Sequence, residues 1–282
     1  MDVELLVVIS IIALLIGILL PALGAARRTA RDMRCLSNLR QIGIGIAGYS
    51  FDNETILPPA FLDANVSDAA ISGTAWSVLI NAYIQGGGRE YNDVNADENT
   101  EVFLCPSATF DAGNRHYAAN RTAMPVLGFD TPERDQMRVY RLDYLRRTTE
   151  LMLIADALQQ RENNVAPNYP VQPGNTYEAL DGLDDGRVQD ILPSNNHFFK
   201  PGDPSMDEPI DPGPNREDQL LGPTTNNIRW RQGIGTPNTG PLFGPSAGQG
   251  TPQGTANMVY ADGHASNNSP SEVLRRNVLV DR

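Results

Sequence analysis

Cationic side chains are scarce in this chain: 22 lysines and arginines stand against 34 aspartates and glutamates, for a formal net charge of −12. The shortage is regional. Residues 1–50 hold five arginines against Asp2, Glu4 and Asp32, which leaves about −14 for the remainder. A surface of that sign repels phosphate backbones, so nucleic acid is not expected as a partner of the C-terminal part, whereas divalent cations suit it. Histidine numbers three and cysteine two. None of His116, His197 and His264 sits in a ligand-spaced motif, so no zinc site is predicted. A Gly-rich phosphate loop, a Ser/His/Asp order and a Cys/His nucleophile pattern are all missing, which argues against an enzyme. Asp262-Gly263-His264 reads first as a turn with a histidine just past it on a strand, rather than as a catalytic pair. There is no internal repeat.

What the chain does have begins at its N-terminus. Leu5 to Ala26 carries no charge and only Ser10, Gly17, Pro21 and Gly24 as interruptions, giving about 20 residues, the length that spans a hydrocarbon core. It reads as a membrane helix. A cleavable secretory signal competes, because Ala22, Gly24, Ala25 and Ala26 are small, but such signals open on a basic stretch and this one opens Met1-Asp2-Val3-Glu4. Glu4 stands at the edge of the span. An ionised carboxylate there costs a few kcal/mol unless paired or snorkelling, which marks it as a candidate functional residue.

Past Pro21, apolar residues at Leu23, Ala26, Ala30, Met33, Leu39, Ile42, Ile46 and Tyr49 recur at helical spacing, with Arg27, Arg28, Arg31, Arg34 and Arg40 among them. One rod to about Ser50 is predicted, roughly 70 Å long, with Pro21 as a kink. Gly43, Gly45 and Gly48 lower helix propensity and predict close packing against another element. The fold class expected is α+β. Residues 1–26 form a transmembrane or filament-core helix, 27–52 its amphipathic continuation, and 53–282 a head with an antiparallel sheet and long loops.

Within the head, Trp76–Ile84 reads as a short helix ended by Gly86-Gly87-Gly88. Residues 101–104, 139–142 and 151–155 read as strands, and 256–265 as a hairpin strand whose Asp262-Gly263 makes the turn. Residues 272–279 could close the fold as helix or strand. Residues 201–254 are rich in Pro, Gly, Asn, Thr and Asp without a period and read as a surface excursion, tied down at Ile228, Trp230, Leu242 and Phe243. Asp181, Asp184 and Asp185, with Asp190, Gly182 and Gly186, are a candidate calcium loop, a solvated acidic loop being the alternative. A second acidic patch comprises Asp203, Asp207, Glu208 and Asp211. In an exported protein Cys35 and Cys105 read as one disulfide, two buried free thiols being the alternative. They argue for a head outside the cytoplasm, against the arginine cluster after the span, which would hold it inside.

The run Glu4-Leu-Leu-Val-Val-Ile-Ser-Ile-Ile-Ala-Leu-Leu with Pro21 following resembles the N-terminal helix of type IV pilins and type II secretion pseudopilins. The stretch from Cys35-Leu-Ser-Asn-Leu-Arg-Gln-Ile-Gly to Leu57-Pro58-Pro59, then Phe103-Leu-Cys-Pro-Ser107, Tyr117-Ala-Ala-Asn120 and Asn257-Met-Val-Tyr-Ala-Asp-Gly-His264, is similar to large pilin-like proteins of Planctomycetes. One departure is that the histidine usual ahead of Asp262-Gly263 is absent, Arg229-Trp230-Arg231 standing in its region. The resemblance implies a precursor cut by a prepilin peptidase, N-methylated, held in the bacterial inner membrane with the head outside the cytoplasm, and assembled with copies of itself or other pilin-like subunits. Pro21 falls at the family's spacing, and Glu4 would pair with the N-terminal amine of a neighbouring subunit. The alternative is a membrane-anchored binding protein that uses the stem for export and display. Calcium, held in a loop by some pseudopilin heads, is the cofactor this resemblance permits.

Overall fold

The computed structural model describes residues 2–62, 74–84, 101–108, 116–120, 122–124, 126–127, 140–156, 201–209, 228, 232, 254–278 and 280. One helix, α1 (Asp2–Asp52), runs unbroken through Pro21 for 51 residues, or ~77 Å at 1.5 Å per residue. The molecule is α+β: α1 is joined to a head whose main sheet has four antiparallel strands.

α1 ends because its C-terminal carbonyls are recaptured. The Thr55 N–H reaches back to the Ser50 carbonyl at 2.7 Å, and Glu54 and Thr55 adopt φ of 53° and 67°, a left-handed stop of Schellman type. Neither residue is glycine, so the turn is strained, most of all at β-branched Thr55. The segment 140–143 holds it there. Leu142 N–H donates to the Thr55 carbonyl at 2.6 Å, Leu57 N–H to the Tyr140 carbonyl at 2.9 Å, and the Thr55 hydroxyl to Asp143 Oδ1 at 2.5 Å.

The main sheet has the order β3 (Tyr117–Ala119), β5 (Met152–Asp156), β6 (Ala256–Tyr260), β7 (Ala265–Asn268). β5 and β6 are buried along their whole length. Their alternate side chains divide between two cores, as a period of two requires. Leu151, Leu153, Val259 and Ala261 face the core that holds α1, while Met152, Met258 and Tyr260 face a smaller core with Ile228, Val273 and Val278. A register shift between Met152 and Ile154 lets Leu153 and Ile154 both join the α1 core, which is what a bulge achieves. A second sheet is small: β1 (Phe61–Leu62) pairs antiparallel with β2 (Thr74–Ala75) and parallel with β4 (Val126–Leu127).

The short helix expected at Trp76–Ile84 is α2, and the hairpin expected at 256–265 is β6–β7 turning at Asp262-Gly263. Other expectations are corrected. Residues 101–104 form a 3₁₀ turn (Glu101–Phe103) rather than a strand, because Phe103 and Cys105 must both turn inward while the Glu101 and Leu104 carbonyls face Asn38. In 139–142, Arg141 makes one isolated bridge to Ile56 and a 3₁₀ turn (Leu142–Tyr144) follows; the pairing is used up in capping α1. Residues 272–279 contain a 3₁₀ turn at Arg275–Asn277 rather than a regular closing element. The buried stripe of α1 starts at Cys35, not at Leu23, since Leu23 and Met33 are exposed.

Candidate functional site

The exposed half of α1 is the largest anomaly on the molecule. Leu5, Leu6, Val7, Val8, Ile9, Ile11, Ile12, Leu14, Leu15, Ile16, Ile18, Leu19 and Leu20 are between 49% and 66% exposed. They cover every side of the helix, so no described part of this chain packs on them. A helix that is apolar all round is stable only in a bilayer or inside an assembly. The segment is long and apolar enough to cross a membrane and is a candidate anchor near the N-terminus. Glu4 lies in α1, with its side chain outside the described residues. Pro21 is exposed within the helix; its ring lacks the donor that would meet the Gly17 carbonyl, and Gly17 has open space beside it.

The other half of α1 is fixed to the head by three devices. The first is close approach at glycine. A Cβ at Gly43 would fall 2.8 Å from Val259 Cγ2, one at Gly45 2.8 Å from Ile84 Cγ1, and one at Gly48 2.9 Å from Tyr83 Cδ1. All three glycines thus serve the tight packing that their low propensity predicted. The second is apolar burial of Leu39, Ile42, Ile46 and Tyr49 against Trp76, Ile80 and Phe103, with Tyr49 edge-on to Tyr83 and Trp76 edge-on to Phe103.

The third is a clasp where α1 emerges from the head. Cys35 and Cys105 are joined by a disulfide that closes a separation of 70 residues. Around it Asn38 Nδ2 donates to the Leu104 carbonyl at 2.8 Å, the Ser107 hydroxyl to Asp32 Oδ1 at 2.6 Å, and the Tyr117 hydroxyl to the Cys35 carbonyl at 3.3 Å. His116, fully inside, accepts the Cys105 N–H on Nδ1 at 2.9 Å and so orients the cysteine backbone. Gln232 joins it, with Nε2 at 3.4 Å from Cys105 Sγ and 2.9 Å from Asp156 Oδ2.

Sequence reasoning missed Asn38, Asp32, Ser107, Asn120 and Asp156. Each acts across a long separation, and Asn38, Ser107 and Asn120 stood in quoted motifs that assigned them no contact. The Asn120 amide bridges the Met152 and Val278 carbonyls at 2.7 and 2.9 Å, and its Oδ1 accepts the Thr122 N–H at 3.0 Å, while the Thr122 hydroxyl donates to the Val278 carbonyl. The buried Asp156 carboxylate accepts the Asn257 N–H at 2.8 Å.

Asp143 is held below the ordinary carboxylate range by the Thr55 hydroxyl and then by Arg141, and the same carboxylate raises Arg141. Glu272 is lowered by the Ser269 N–H and hydroxyl. Burial raises Tyr260, whose ring stacks on His264 at 4.4 Å. His264 Nδ1 lies 2.6 Å from Asp262 Oδ1, which also accepts the His264 N–H, so the pair closes the turn that carries Gly263 over Gly43. The candidate calcium residues Asp181, Asp184 and Asp185, with Asp190, lie outside the described residues, as do His197, Asp211, Trp230, Leu242 and Phe243. Of the second acidic patch, Asp203, Asp207 and Glu208 are described, and Asp207 pairs with Arg276 at 3.0 Å.

A family model described as a protein of unknown function (DUF1559) matches residues 24–190. No curated protein and no solved structure matches the chain.

Proposed function

This chain belongs to the DUF1559 family, whose members are pilin-like proteins with an N-terminal apolar helix, and from that premise we propose that it is a structural subunit of a type IV pilus-like or type II secretion pseudopilus filament. The observation that supports this reading is the all-round exposure of Leu5–Leu20 on a helix whose other half is locked into the head. A rigid rod with one bare end stores that end in the inner membrane and then transfers it to a bundle of identical helices. Van der Waals packing among Leu, Ile and Val side chains supplies adhesion, and an ionised Glu4 supplies register, because a carboxylate left unpaired in an apolar core is heavily penalised. The terminal amine of a neighbouring subunit, freed by a prepilin peptidase, is its proposed partner. The head faces away from the cytoplasm, where a disulfide at Cys35 and Cys105 persists. Its role is structural rather than catalytic.

Glu4→Ala or Glu4→Gln in the native host, with imaging of sheared surface fractions, tests the proposal. Loss or shortening of filaments is expected, and unchanged yield and length would sink it. A displayed binding protein using the same stem as an anchor is the competing reading, favoured only by the presence of a single candidate span among the described residues. Cysteines placed along residues 5–26 separate the two: oxidation gives a ladder of oligomers for an assembling subunit and monomer for a displayed one.

A further inference from the structure

The outward face of the head-bound half of α1 is not clean. Met33, Ile44 and Phe51 are 60%, 67% and 86% exposed, although Cys35, Leu39, Ile42, Ile46 and Tyr49 on the same helix are buried. At 3.6 residues per turn Met33, Arg40, Ile44 and Phe51 fall on one strip, directly away from the head. Arg40 is exposed in the middle of that strip and makes no ion pair among the described residues. A strip of large apolar side chains around one guanidinium suits a partner that is apolar around one carboxylate.

The chain contains such a segment. Glu4, Val8 and Leu15 have the same spacing as Arg40, Ile44 and Phe51, namely i, i+4 and i+11. The two sets are 36 residues apart, about ten turns or ~54 Å of helix. Each set lies wholly on one side of Pro21, so a bend there leaves both faces intact. Val8 and Leu15 are 52% and 54% exposed.

We infer that residues 4–15 of a second copy of this chain pack in parallel on the outward face of residues 40–51, Glu4 meeting Arg40, Val8 meeting Ile44 and Leu15 meeting Phe51. This rests on the assembly reading above and adds to it a defined axial stagger of about 54 Å between contacting copies. The contact is heterologous, so it propagates along a filament rather than closing a dimer. A guanidinium binds a carboxylate through a planar fork, which fixes register more sharply than apolar side chains can. Arg40 is also available whether or not the N-terminus is processed, and each carboxylate oxygen keeps a second lone pair that can accept from a terminal amine.

The test uses full-length protein in cells with paired cysteines. Val8→Cys with Ile44→Cys, and Leu15→Cys with Phe51→Cys, are expected to give intermolecular disulfide ladders at least tenfold above Leu6→Cys with Ile44→Cys, because Leu6 lies on the opposite side of the helix. A companion pair, Arg40→Glu against Arg31→Glu, changes charge equally on opposite faces; at least tenfold loss of filament yield is expected from the first alone. If cysteine pairs placed within residues 5–26 give ladders but the matched pairs do not exceed Leu6→Cys with Ile44→Cys, the stagger is wrong and assembly stands. Equal losses from the two arginine variants also overturn it. If the pairs within residues 5–26 give no ladder, the assembly reading itself fails.

Discussion

Thr55 shows how single residues hold the stem to the head. Its left-handed φ of 67° is unfavourable for a β-branched side chain, and Glu54 before it, at 53°, also lacks the freedom of glycine. Glu54→Gly should therefore raise stability by about 0.5–1 kcal/mol, read as an increase in thermal midpoint with the helix content unchanged. The neighbouring carboxylate carries a pH signature. Asp143 titrates lower in the folded protein than in the unfolded chain. Its contribution is complete above the ordinary carboxylate range and is lost as pH falls through the lowered folded value. Midpoints followed from about pH 6 to pH 2 should fall less steeply in Asp143→Asn than in the parent. The cysteines act on a larger scale. Closing a separation of 70 residues restricts the unfolded chain by about 4 kcal/mol in the loop-entropy account, so Cys35→Ser with Cys105→Ser should lower stability by 2–4 kcal/mol in denaturant titration. An unchanged midpoint would show that the hydrogen bonds around it suffice.

At the level of elements, the contact of α1 with α2 and β6 depends on absence of side chain. Gly45→Ala places a methyl 2.8 Å from Ile84 Cγ1, and the shift needed should cost about 1–3 kcal/mol, whereas the same change at Gly17, with open space around it, should not destabilise. Comparing thermal midpoints of the two variants checks this. These glycines were legible in the sequence because a helix former avoids them unless something must come close. Likewise α2 and β6–β7 were legible, being local: apolar spacing over Trp76–Ile84 and a two-residue turn at Asp262-Gly263. The strand expected at 101–104 failed for a reason no local pattern carries. Its carbonyls are committed to Asn38, some 63 to 66 positions away, and its side chains to the disulfide and the α1 core. The strand expected at 139–142 failed likewise, spent on capping a helix that ends at Asp52.

For the whole molecule the decisive fact is a division of labour along one helix. Residues 5–20 are exposed on all sides and contact none of the described residues of the head, while α1 from Cys35 onward supplies one wall of the larger core. The bare half was legible in the sequence because it is a property of composition. The clasp at Cys35 was legible as a pair of cysteines but not as a fixed point with Asn38, Asp32 and Ser107 around it, since those partners meet only once the chain has folded. The division predicts separability. A chain beginning at residue 27 keeps every described contact between stem and head, including the disulfide, and loses only surface that water does not tolerate. It should purify without detergent as an oxidised monomer whose midpoint in denaturant matches that of the full chain in detergent within about 0.5 kcal/mol. A shortened chain that fails to form the Cys35–Cys105 bond, or unfolds at much lower denaturant, would mean that the apolar half is part of the folding unit. The rod would then be a structural necessity of the head, and the case for a stem kept bare for other copies would lose its main support.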